Sequence, residues 1–161
     1  MAAWVLESAY RYARAAALLE RESLMYESEV NAALAMELVL KSLIAAPVEN
    51  NRKGTALQQY TTRQHKLRDG HNLLALYKLV PSAIAEYLGL AALEDLLAQK
   101  QDVFKRLRYI YELDAPGGST TVLLGAVGWL IPQVIVYFVD QGDQDQWLAY
   151  MRANPEKMKV R

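Results

Sequence analysis

The stretch KRLRYIYEL, residues 105–113, puts Arg106, Arg108, Tyr109, Tyr111 and Glu112 within a few helical turns. On a helix, Tyr111 and Glu112 are the i+3 and i+4 neighbours of Arg108. A guanidinium held by a carboxylate can be aimed at a phosphate, and Tyr111 and Glu112 are groups able to move protons. The plain alternative is an Arg108–Glu112 surface pair, which stabilises a helix by about 0.3–0.5 kcal/mol. His71 is a further catalytic candidate, because imidazole ordinarily titrates near neutrality. Its plainer role is capping, or a polar contact with the second helix.

Other polar groups stand on apolar ground. Glu37 and Lys41 are spaced i, i+4 in the favourable order, among Ala33, Leu34, Leu38, Leu40 and Leu43. One of them is expected to be partly buried, and a buried pair would need further hydrogen bonds. Asn31 reads as a local polar contact. From Arg52 to Arg68 the chain carries Arg52, Lys53, Arg63, Lys66 and Arg68, with His65 and Tyr60, and no acid. Such a stretch can grip an RNA backbone and stack a base, or it can be a solvated loop; basic residues form a patch only when clustered in space. Gly117 and Gly118 form no phosphate loop, since no strand precedes them and no Lys-Ser/Thr follows; they read as a turn.

Composition narrows the chemistry. The chain has no Cys and only two His, His65 and His71. Disulfides, thiolate nucleophiles, Cys-ligated zinc and His-rich metal sites are excluded, leaving carboxylate-only metal sites; no metal or cofactor is expected. Lys plus Arg and Asp plus Glu balance at 18 each, so no global charge points to nucleic acid. The N-terminal MAAWVLESAYRYAR lacks a basic start and is interrupted by Glu7, so it does not read as a signal peptide. A cytoplasmic location is the expectation.

The elements that must position these residues are helical. Residues 3–22 form a first helix, with Trp4, Ala9, Tyr12, Ala16 and Leu19 in reach of one face. Residues 27–46 form a second, whose Glu27 and Glu29 suit its N-terminal dipole and which Pro47 closes. Residues 47–69 read as an irregular connection with one short helical turn. Asp69 is placed to cap a third helix running to Pro81, and a short helix follows at 82–88. A long helix is expected from about 90 to 113, with Arg108 close to the line of Leu97 and Phe104, before the break DAPGGS. Residues 122–139 carry no charge and reach the length of a membrane span; a buried central helix is the favoured reading, kinked or split near Gly128–Ile131 by Pro132. The whole reads as one all-α, up-and-down bundle of about five helices over residues 1–153, with a polar tail at 154–161.

Three stretches, in order, are similar to the HEPN superfamily of small helical bundles: ALAMELVLKSLIAA, HKLRDGHNLLALYKLVP and VFKRLRYIYE. The likeness covers most of residues 27–113. It implies a helical homodimer. It also implies either a metal-independent ribonuclease of toxin–antitoxin, phage-defence or stress systems, or a non-catalytic RNA- or nucleotide-binding module, in some cases paired with a nucleotidyltransferase or an antitoxin. The nuclease members carry an Arg followed after a short gap by a His. This chain departs from that pattern: Tyr109, Ile110, Tyr111, Glu112, Leu113 and Asp114 follow Arg108, and Arg106 has no downstream His either. The resemblance therefore implies a non-catalytic RNA-, nucleotide- or partner-binding module. A ribonuclease with a non-standard site around Arg108 is the alternative, and a membrane-associated helical protein a minor one.

Overall fold

The computed structural model describes residues 2–50, 58–108 and 118–160; at Arg108 it describes the backbone but not the side chain. Two long helices, α1 (Ala3–Arg21) and α2 (Met25–Ile44), fold back on each other through a tight turn at Glu22–Leu24. Ser23 takes φ 62° there, and the Leu24 amide donates to the Leu19 carbonyl at 2.9 Å. The buried side of α1 is alanine-rich, with Ala9, Ala13, Ala16 and Ala17 around Leu6. α2 answers with Ala32, Ala33 and Ala35. Small side chains let two helix axes approach closely, and the Ser28 hydroxyl donates to the Ala16 carbonyl at 2.9 Å. The expected apolar face of α1 is thus corrected: Ala9 and Ala16 are buried, Trp4 and Leu19 only partly, and Tyr12 is exposed.

The connection after α2 contains a short two-stranded ribbon. Strand β1 (Ala46–Val48) pairs antiparallel with β2 (Gln59–Thr61), setting Pro47 opposite Tyr60. Three-residue strands are too short to show alternation, and Pro47 is tolerated because both strands are edges. A single 3-10 turn, Arg63–His65, follows.

The region expected to be one long helix is broken into a 3-10 turn (Leu90–Leu93), α5 (Glu94–Gln99) and α6 (Val103–Arg108), after α3 (Leu73–Tyr77) and α4 (Ser82–Tyr87). The break has a visible cause. The Gln101 carbonyl accepts the Leu73 amide at 3.1 Å, and Gln101 Oε1 accepts Asn72 Nδ2 at 3.1 Å, so this backbone serves the start of α3 instead of its own helix. The cap of α3 is Asn72, whose side chain accepts the Ala75 amide at 2.8 Å. Asp69, expected in that role, accepts the His71 amide at 3.0 Å instead.

Helix α7 (Val122–Asp140) runs unbroken through Pro132. The expected split does not occur; the Trp129 carbonyl near the proline receives Gln133 Nε2 at 3.1 Å. α7 is long and apolar enough to cross a membrane, and half of its most apolar window is buried. Leu123, Val127, Leu130, Ile131, Val134, Ile135 and Phe138 are fully enclosed, with α7 packed on α2 and α1. α8 (Gln146–Ala153) is capped by Asp145, which accepts the Trp147 and Leu148 amides. The segment read as a polar tail then forms a turn at Pro155–Met158 and buries Met158 and Val160 in the common core. The described residues thus make a mostly helical, all-α unit.

Candidate functional site

A cluster of polar side chains gathers where α2, the 69–72 segment and α6 meet. Glu37 projects from the middle of α2 into this junction and its side chain is 3% exposed. Its Oε1 receives Lys41 Nζ at 2.5 Å, and its Oε2 receives His71 Nδ1 at 2.9 Å. Both carboxylate oxygens are therefore engaged, as a buried charge requires. A carboxylate only accepts, so the proton on Nδ1 points at Glu37 and Nε2 is left with its lone pair while the ring is neutral. Nε2 has no partner among the described residues.

The ring is held on its flat side as well. His71 stacks on Phe104 of α6, centroids 5.1 Å apart and planes 27° from parallel. Yet 45% of the His71 side chain remains accessible, so the imidazole is fixed without being sealed. The backbone that delivers it is short and tight. Gly70 passes so near α2 that a Cβ there would stand 3.8 Å from Lys41 Nζ. Asp69 Oδ2 pairs with Lys105 of α6. Burial alone would raise the Asp69 carboxyl, but the hydrogen bonds from Lys105 and the His71 amide, with the nearby positive charges, hold it below its usual value. The result is a partly exposed imidazole between two lysines, each lysine paired with a carboxylate. It is suited to receive an anion and to take or give one proton beside it.

A second buried carboxylate lies farther toward the start of α2. Glu29 Oε1 pairs with Lys100 at 2.5 Å, and Oε2 accepts the Thr120 amide at 2.8 Å. With its side chain 1% exposed, Glu29 is a structural clasp between distant segments, and not merely a partner for the helix dipole.

The sequence candidates divide clearly. Glu37, Lys41 and His71 come together. Asn31 makes the local contact read from the sequence, donating Nδ2 to the Glu27 carbonyl at 2.8 Å. Arg63, Lys66 and Arg68 are exposed along the connection. His65, read as a solvated loop residue, is instead half-buried, with Nε2 2.9 Å from the Ile44 carbonyl. Tyr60 lies in the ribbon, its hydroxyl pushed up by burial and by Asp143 and Asp145. Arg52, Lys53, Tyr111 and Glu112 lie outside the described residues, as does the side chain of Arg108. By its backbone Arg108 stands one turn after Phe104 on α6, but the line drawn back to Leu97 is interrupted by the break at 100–102.

From the sequence Asp69 reads only as a helix cap and Phe104 only as part of an apolar line, and Lys105 has no role. Their signal was faint: Asp69 sits two residues before His71, and Phe104 and Lys105 stand just ahead of Arg106. The chain matches no protein-family model, no curated protein and no solved structure.

Proposed function

We propose that this chain is a HEPN-like accessory module that binds RNA or a nucleotide phosphate at the Glu37–His71 junction. The observation that carries this reading is the accessible imidazole of His71, fixed by a buried carboxylate and stacked on Phe104, beside Lys41 and Lys105. Lys41 is 21% and Lys105 49% exposed, and an ammonium has three hydrogens, so each can donate to a phosphate oxygen while keeping its carboxylate partner. The exposed Arg63, Lys66 and Arg68 would add salt-dependent backbone contacts. The proposed setting is cytoplasmic, in a defence, toxin–antitoxin or stress system, as a homodimer or with an antitoxin-type or nucleotidyltransferase-type partner; it follows from the resemblance.

One observation favours a second reading, a metal-independent ribonuclease. The Glu37–His71 contact gives the imidazole the tautomer that a general base needs. In that reading Nε2 takes the proton of a ribose 2′-hydroxyl as its oxygen bonds to phosphorus, and the P–O5′ bond breaks. Arg108, Tyr111 and Glu112 remain candidates to hold the phosphate and to protonate the leaving oxygen.

The test uses labelled single-stranded RNA in chelator, with wild type, His71→Ala and Arg108→Ala compared for binding by anisotropy and for cleavage on gels. The binding module predicts complex formation without cleavage, weakened about tenfold in Lys41→Gln. Cleavage by the wild type that His71→Ala abolishes would establish the second reading. No binding and no cleavage by a folded wild type would remove both.

A further inference from the structure

Away from that junction, the second half of α1 and the last described residues line a positively charged cavity. The C-terminal segment alternates: Met158 and Val160 are buried, while Lys157 and Lys159 face solvent. It is pinned in place at Lys157, whose carbonyl accepts the Tyr10 hydroxyl at 2.6 Å. Arg14 Nη1 donates to the same hydroxyl at 3.1 Å, and its guanidinium carbon lies 6.0 Å from the Tyr10 ring centroid. Arg14 and Arg21 are seven residues apart on α1 and so share one line of the helix. Arg14, Arg21, Lys157, Lys159 and Glu156 line a cavity of about 270 Å³.

The charges in this cavity are not balanced from within. Among the described residues, no ion pair joins any of the four cations to a carboxylate. At the Glu37–His71 junction Lys41 and Lys105 each keep a carboxylate partner that an anion has to share, whereas here no such partner is in place. Like charges held together in a concavity build a field that a bound anion relieves. The buried Met158 and Val160 keep the lysines from swinging away as a unit.

We propose that this cavity is a binding site for a diphosphate group, as in inorganic pyrophosphate or a nucleoside diphosphate. Among the described residues that line it, four cations accompany one carboxylate, an excess of three positive charges, which matches the roughly triple negative charge of a diphosphate near neutral pH. Arginine forks suit the phosphoryl oxygens, and flexible lysines can close over them. The cations address the diphosphate alone, so a nucleoside attached to it adds little to binding. The site is separate from the His71 junction and does not depend on the function proposed there.

Titration calorimetry in low-salt, magnesium-free buffer tests it with inorganic pyrophosphate, ADP and AMP. Pyrophosphate and ADP are expected to bind alike, with AMP about tenfold weaker. Arg21→Gln and Lys159→Gln, both exposed and checked for folding by circular dichroism, should each weaken pyrophosphate about tenfold. Lys78→Gln, an exposed lysine at the end of α3 that does not line the cavity, should leave it unchanged. Absence of pyrophosphate binding, binding of ADP alone, or an equal loss in Lys78→Gln would overturn the proposal.

Discussion

At the scale of single residues, His71 and Asp69 show how one short segment serves two neighbours. His71 leans on Glu37 through Nδ1, while its backbone amide is held by Asp69, which also engages Lys105. The Asp69 carboxyl is lowered in the folded protein, so its contribution to stability is present above its unfolded value. It is lost as pH falls through the folded value, below the ordinary 3.8. Urea titrations between neutral pH and pH about 2 should therefore show an acid loss of stability that Asp69→Asn makes shallower. An unchanged slope in that variant would show that the Asp69–Lys105 contact is not held in solution. His71 was legible as a candidate because it is one of two imidazoles in the chain. Its partner was legible only as half of a helix pair, because Glu37 and Lys41 satisfy the local i, i+4 rule so well that a third, non-local member leaves no trace in the spacing.

Among the elements, the long helices were readable and the junctions were not. The apolar periods of α1, α2 and α7 extend over 19, 20 and 19 residues, enough for periodicity to overcome noise. The supposed helix from 90 to 113 breaks because Gln101 gives its carbonyl to Leu73, a contact across 28 residues that no local pattern announces. Neither Gly nor Pro marks that break. Lys100 stands at the same break, and its pairing with Glu29 is the α5–α6 corner's link to α2. Lys100→Ala would leave a buried carboxylate with only the Thr120 amide, and should destabilise the protein by about 3–5 kcal/mol. Chemical denaturation measures this; a cost under about 1 kcal/mol would mean that Glu29 finds water instead.

For the whole molecule, α7 fills the centre while leaving Val122 and Trp129 exposed, and Tyr87 of α4 is exposed as well. Single exposed apolar side chains are ordinary on a protein surface; three large ones, with a proposed homodimer, make self-association the measurement to take. Light scattering is expected to give twice the 18.2 kDa chain mass in detergent-free buffer. A monomer would withdraw the homodimer, and material found only with membranes would favour the minor, membrane-associated alternative. The balanced charge of 18 against 18 concealed the organisation at this scale. Lysines paired at the His71 junction and cations without an ion pair beside the C-terminal segment disappear alike into one total.

The clasp at Glu29 bears on how the chain reaches this state. Its partners lie 71 and 91 residues downstream, yet the carboxylate belongs to the α1–α2 pair. Were that pair to form alone, water would serve the carboxylate and the apolar face that later segments cover would stay exposed. A state that buries Glu29 before the Lys100 corner and the Thr120 amide have both arrived would carry an unpaired charge. The penalty for a half-assembled chain is thus concentrated at one atom group, which favours unfolding in a single step over the peeling away of separate helices.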